Sequence, residues 1–194
     1  MPQKPLRSQQ KSQSPNQNRS QPNPPRKNSP VSRLAFDHEI LSTGYKIIAG
    51  VDEVGRGCLA GPVVAAACIL PLDVIPAKAG IQQSPYFEIR DSKLLSPKKR
   101  EELSQFIQEQ AVAFAFGVVS PEEIDRINIL QATLRAMKIA IEQLPVQPDS
   151  LLVDGNQKVA VALPQRTITG GDDRSLSIGA ASILAKVYRD RMML

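Results

Sequence analysis

The sequence is poor in several residues that carry chemistry in other proteins: it has two cysteines, one histidine and no tryptophan. Cys58 and Cys68 show no spacing typical of a metal site. Both are expected as reduced thiols, with Cys68 a small core residue. His38, the single imidazole, lies outside every motif discussed below and reads as an ordinary surface residue. No apolar run is long enough to span a bilayer, and the N-terminus lacks the hydrophobic segment of a secretory signal. A soluble, cytoplasmic protein with no membrane partner is therefore expected. Acid is missing too, but only locally. Residues 1–33 hold seven basic side chains and no acidic one, whereas residues 34–194 hold 17 basic and 19 acidic groups. The overall charge of +5 thus belongs to the tail and not to the remainder. Residues 1–33 are nearly all Gln, Ser, Asn, Pro, Lys and Arg, which cannot bury enough apolar surface to offset the entropy of ordering. A disordered, solvated tail is the favoured reading, ahead of an electrostatic arm for nucleic acid. A targeting peptide ranks third, because the prolines oppose the amphipathic helix such peptides form.

What is present from residue 47 onward is an alternation of strand-like and helix-like units, with 34–194 expected as one α/β domain. "KIIAGVDEV" and "PVVAAACIL" are rich in Val, Ile and Ala and are joined by a glycine-rich corner, which predicts two paired strands. "VAFAFGVVS" (112–120) is a third strand. "SPKKREELSQFIQEQA" (96–111) opens on Ser-Pro and predicts a helix. "SPEEIDRINILQATLRAMKIAIEQL" (120–144) opens the same way, with Glu123 placed to close a capping box, and predicts one long amphipathic helix lying on the sheet. "SLLVDG" (150–155) and "RTITGG" (166–171) read as short strands, and 176–194 as a last helix. Residues 71–87 do not fit this rhythm. The run "VIPAKAGIQ" resembles a translated repetitive DNA element, and a surface loop without chemistry is expected there.

Asp52 and Glu53 stand in the middle of the apolar run "IIAGVDEVGRGCLAGPVVAAACIL" (47–70). Burying a lone ionised carboxylate costs several kcal/mol unless it is paired or binds a metal. Adjacent strand residues point to opposite faces, so both acids can serve one site only where the strand ends, and Gly55 and Gly57 supply that end. Asp154 closes "SLLVDG" and Asp172 follows "RTITGG", so each stands beside glycine at a strand end. Taken singly, Asp154 and Asp172 are better read as ordinary turn chemistry. Together, four hard oxygen donors at one sheet edge point to Mg²⁺ or Mn²⁺.

"GVDEVGRG", "RDSKLLSPKKR", "EIDRINILQATLRAM", "LLVDGN", the "GGD" at 170–172 and "AASILAKVYRD" together resemble the ribonuclease HII family, in that family's order, over residues 47–194 apart from 71–87. The resemblance implies a ribonuclease H-like fold, a mixed sheet flanked by helices. It also implies an endoribonuclease acting on RNA–DNA hybrids and on duplex DNA with embedded ribonucleotides. Asp52, Glu53, Asp154 and Asp172 match the metal-binding, catalytic carboxylates, implying two divalent ions, Mn²⁺ or Mg²⁺. Gly55, Arg56 and Gly57 match the segment that reads the ribose 2′-hydroxyl, where the lack of a Cβ lets backbone approach a sugar. Ser92 and Lys93, and Ser182 and Lys186, fall in motifs similar to phosphate-contacting ones, though the two lysines also read as solvated surface residues. A monomer is expected.

Two departures accompany the match. Gly170 stands where the family has lysine, and no His-Lys-Gly-Tyr run follows "AKVYRD" before the last residue, Leu194. The fold is accordingly expected to be C-terminally truncated, with substrate positioning weakened. A family member that keeps the fold and only binds nucleic acid is the alternative reading. Another nuclease or recombinase on the same fold is a third, against which the Gly-Arg-Gly segment counts.

Overall fold

A computed structural model describes residues 30–58, 60–75 and 84–194. The basic tail up to residue 29 and the middle of the proposed inserted loop, 76–83, lie outside the described residues. Five strands, β1 (Ile48–Val54), β2 (Val63–Ile69), β3 (Ala113–Val119), β4 (Ser150–Asp154) and β5 (Gln165–Ile168), form one sheet in the order β3-β2-β1-β4-β5. β1 and β2 pair antiparallel, as the glycine-rich corner between them predicts, and so do β2 and β3. β4 and β5 join in parallel on the other side of β1. The α-helices among the described residues are α1 (Pro30–Ser42), α2 (Pro97–Gln110), α3 (Pro121–Ile127), α4 (Ile129–Glu142) and α5 (Leu176–Met192).

The sheet is covered on both faces. On one, Ile48, Val64, Ala66, Cys68 and Leu152 pack with Ile178, Ala181, Ile183 and Leu184 of α5, and with Leu34 of α1 and Leu103 and Ile107 of α2. On the other, Ala49, Val51, Ala65 and Val153 meet Ala132, Ala136, Met137, Ala140 and Ile141 of α4. The small residues on α4 let it approach closely. A Cβ on Gly117 of β3 would lie 1.9 Å from the Ala136 carbonyl oxygen. Cys68 is fully buried and burial pushes its thiol up to about 12, so it behaves as the small apolar core residue expected.

The structure changes the sequence expectations for three segments and for His38. First, the boundary at residue 33 moves, because α1 begins at Pro30 and Arg33 is buried. Leu34 and Ile40 are buried as well, and burying such side chains fully is worth about 1.5–3 kcal/mol each, which anchors a helix that a polar prelude obscures. His38, on the same helix, is half-buried and donates from Nε2 to the Leu72 carbonyl at 2.9 Å, so it is not a free surface residue. Second, 71–87 is not loop throughout. Leu72, Ile75 and Tyr86 enter the core, the Tyr86 ring meeting Phe106 edge-on at 4.9 Å. Third, the long helix is two. Asn128 adopts φ 67°, which ends α3, and its Oδ1 then accepts from the N–H groups of Leu130 and Gln131, both at 3.1 Å, to start α4. The predicted cap at Ser120 forms, accepting from Glu123 N–H at 3.4 Å, while the Glu123 carboxylate ion-pairs with Arg135 of α4 at 2.5 Å.

α1 also carries a fully buried acid. Asp37 accepts from both the backbone N–H and the hydroxyl of Ser177, each at 2.8 Å, at the start of α5. Burial pushes its carboxyl up to about 6, an effect the hydrogen bonds from Ser175 and Ser177 partly offset. The folded state thus prefers the protonated form. The resulting stability is complete below the unfolded value of 3.8 and is lost as pH rises through about 6. The loss amounts to about 3 kcal/mol. Asp37→Asn keeps an acceptor for Ser177 and cannot ionise. Its stability relative to the parent should therefore improve by about that amount between roughly pH 3.5 and roughly pH 7.5. Denaturant titrations at both pH values measure this, and a difference that does not vary with pH would refute it.

Candidate active site

β1 and β4 run parallel in the middle of the sheet, so their C-terminal ends lie side by side. Asp52 and Glu53 come from the end of β1 and Asp154 from the end of β4. Asp52 faces the α5 side and is buried, with 4% of its surface exposed. Glu53 faces the α4 side and is half-buried, as is Asp154. Although adjacent residues diverge along a strand, one carboxylate oxygen from each of Asp52, Glu53 and Asp154 lies within 4.8 Å of the others. The strand end permits this, since the chain turns away immediately at Gly55, where φ is 108°. Asp172 does not join that trio. It sits in a one-turn 3₁₀ segment, Gly171–Asp173, and lines the same cleft as Asp52, Glu53 and Asp154. The link between them is direct: Gly171 N–H donates to Asp154 Oδ1 at 2.6 Å.

Crowded like charges and burial act together on these acids. The Asp52 carboxyl is held well above the usual range, first by burial and then by the charges of Glu53 and Asp154, while a hydrogen bond from Ser182 acts the other way. Glu53 is also raised, by burial and by Asp154, with Arg56 opposing. Asp172 is pushed up to about 6 by burial and by the charges of Asp91 and Asp154, with Lys93 opposing. Among the described residues, none of Asp52, Glu53 and Asp154 takes part in an ion pair with a lysine or arginine. A partly buried, oxygen-only set of crowded acids without an ion-pair partner among the described residues fits hard divalent cations such as Mg²⁺ or Mn²⁺.

The remaining predicted residues surround the same cleft, which is lined by Gly55, Arg56, Gly57, Ser92, Lys93, Ser182 and Lys186 along with the four acids. Arg56, Gly57 and Lys93 are exposed on its rim. Ser92 and Ser182 are buried, with the Ser182 hydroxyl 3.1 Å from that of Ser92, so they tie α5 to the 92–94 turn. Lys186 lies one turn beyond Ser182, but its ammonium is engaged by Asp190 at 2.6 Å. Gly170 takes φ 65° at the start of the Asp172 turn, so this position suits glycine.

Two contributors escaped the sequence reading. Asp91 accepts from Lys93 N–H at 2.9 Å and so shapes the turn that presents Lys93. Arg189 is buried and donates to the carbonyls of Pro62 at 2.9 Å and Ala60 at 2.8 Å, bracing the loop that follows Gly-Arg-Gly. Its only signal was its place in "AKVYRD", where it reads as a helix-terminal cation.

A mixed sheet in this strand order, helices on both faces and acids at the end of its central strands define a protein of the ribonuclease H fold with a candidate metal centre. The solved structure of ribonuclease H2 from Pyrococcus horikoshii OT3 matches with a TM-score of 0.63 at 26% identity, over 76% of this chain and 74% of that one. Residues 49–194 match the sequence model of the Ribonuclease HII family. Ribonuclease HII of Pelobacter propionicus is 50% identical over 165 residues, 84% of this chain and 70% of that protein. Ribonuclease HII of Geotalea daltonii is 54% identical over 160 residues, 82% of this chain and 69% of that protein. The chain belongs to the ribonuclease HII family.

Proposed function

We propose that the protein is an endoribonuclease that hydrolyses the RNA strand of RNA–DNA hybrids and cleaves at ribonucleotides embedded in duplex DNA. The observation that carries this reading is the trio of Asp52, Glu53 and Asp154 with oxygens within 4.8 Å, set in one cleft with the Gly55-Arg56-Gly57 loop. Asp52, Glu53, Asp154 and Asp172 would hold two divalent cations, Mg²⁺ or Mn²⁺. When bound, such ions supply Lewis-acid activation of water and stabilisation of the leaving 3′ oxygen. The chain's own residues do the rest. Gly55 and Gly57 allow a sugar to approach the backbone, so a 2′-hydroxyl can be read by main-chain groups. Arg56 and Lys93, exposed in the same cleft as the acids, meet phosphate oxygens of the bound strand. Ser92 and Ser182 hold the Lys93 turn against α5. Lys186 must exchange Asp190 for a phosphate to contribute, which makes it the weaker of the two lysines.

The test is a labelled duplex containing a single ribonucleotide, incubated with and without Mn²⁺ or Mg²⁺. Nicking at the ribonucleotide that depends on the metal and disappears in Asp154→Asn is the expected result. Cleavage in the presence of a chelator, or a protein that binds Mn²⁺ yet leaves the duplex intact, would refute the proposal.

A further inference from the structure

α1 lies outside the stretch matched by the family model, residues 49–194, yet its inward side chains meet the segment that carries Asp172. Asp37 accepts from Ser177 N–H and Ser177 Oγ, both at 2.8 Å, within the first turn of α5. The N–H groups of a helix's first turn have no partner inside the helix, so this acid supplies one from another element. Phe36 lies under two guanidinium groups, those of Arg166 on β5 and Arg174 beside the Asp172 turn, at 5.3 and 5.8 Å from its ring centre. Arg33 is buried, feels the charge of Asp173, and lines one cavity with it.

From Ser177 the path to the acids is short and made of backbone. Ser175 N–H and Arg174 N–H both donate to the Gly171 carbonyl, at 2.8 and 2.9 Å, and Gly171 N–H donates to Asp154 Oδ1 at 2.6 Å. The first turn of α5, the Asp172 turn and the Asp154 carboxylate are thus one hydrogen-bonded unit, and α1 grips it from outside. We infer that α1 is a positioning element of the active centre, with Asp37 as its principal residue, fixing through Ser177 the turn that carries Asp172 and orients Asp154. The inference rests on the proposed role of Asp154 and Asp172 as metal ligands. Asp37 touches neither substrate nor those acids and acts only through α5.

The test uses the full chain as parent, Asp37→Ala and Asp37→Asn, with Mn²⁺ alone as the binding probe and the single-ribonucleotide duplex as substrate. Circular dichroism first establishes that each variant is folded at the working temperature. Groups that orient metal ligands typically cost 10–100-fold when lost, and small misplacements cost similar factors in rate. Asp37→Ala should therefore weaken Mn²⁺ binding about 10-fold and lower kcat about 10–100-fold, leaving KM within about twofold. Asp37→Asn retains an acceptor for Ser177 and should bring both quantities to within about threefold of the parent. A folded Asp37→Ala with parental Mn²⁺ affinity and kcat, merely melting lower, would overturn the inference and leave the nuclease reading intact. If Asp37→Ala does not fold, Phe36→Leu takes its place. Release of Arg174 should then weaken Mn²⁺ binding on the order of twofold, and parental affinity there would count as refutation. A parent that neither binds Mn²⁺ nor cleaves overturns the nuclease reading itself, and this inference with it.

Discussion

Asp52→Asn should sharply reduce cleavage and at the same time raise the melting temperature of the metal-free protein. Both effects come from one arrangement. Asp52 is buried beside Glu53 and Asp154, and none of the three has an ion-pair partner among the described residues. Its carboxyl is raised well above the usual range, mainly by burial, so its ionisation opposes folding increasingly as pH rises. Asparagine keeps an acceptor for Glu53 N–H, which now donates to Asp52 Oδ1 at 2.7 Å, and removes the charge. A gain of about 1 kcal/mol corresponds to about 2–4 °C for a domain of this size, and it should be larger at pH 8 than at pH 6. Cleavage should fall by on the order of 10²–10³-fold, the weight that a single electrostatic group at a reacting centre carries. The stabilisation that Mn²⁺ confers on the parent should vanish with it. Melting curves with and without Mn²⁺ at both pH values decide the matter. Equal metal-induced shifts in mutant and parent would show that Asp52 is not a ligand.

Gly50→Ala should unfold the protein or destabilise it by more than about 3 kcal/mol, the upper range for overpacked cores. A Cβ at Gly50 would lie 2.1 Å from the carbonyl carbon of Ser177, 2.2 Å from its oxygen and 2.4 Å from Ile178 N. These are backbone atoms, so no rotamer change relieves the clash and α5 must move away from β1. The displaced stretch is the one gripped by Asp37, and Gly50 is two residues before Asp52. Any folded remnant should therefore also lose Mn²⁺ binding. Urea unfolding and Mn²⁺ titration test the two parts. A variant within about 1 kcal/mol of the parent would mean that α5 does not sit this close to β1.

The parts of this design legible in the sequence were those with strong local grammar. Acids beside glycine at the ends of apolar strands marked the centre, and Ser-Pro openings at Ser96 and Ser120 marked helix starts that the structure reproduces. What was not legible depends on partners distant in sequence. α1 has no strong amphipathic stripe and follows a polar run, so its helical state reflects the burial of Leu34 and Ile40 and the pairing of Asp37 with a residue 140 positions away. The break at Asn128 was hidden because α3 and α4 both continue the apolar spacing, and only an asparagine tolerant of positive φ betrays it. Asp172 reads as one of four equivalent acids, yet the structure sets it apart from the trio, on a turn held both to α5, by the Gly171 carbonyl, and to the end of β4, by the Gly171 N–H on Asp154.

α5 also links two parts of the cleft that lie far apart along the chain. Its first turn is bonded to the unit that carries Asp154 and Asp172, and Arg189 near its far end holds the carbonyls that follow the Gly-Arg-Gly loop. The span between those two anchorages is roughly 20 Å of continuous helix. The acid cluster and the Gly-Arg-Gly loop are thus moored to the two ends of one rigid rod. Any displacement of that rod relative to the sheet would therefore disturb both ends at once, and neither alone.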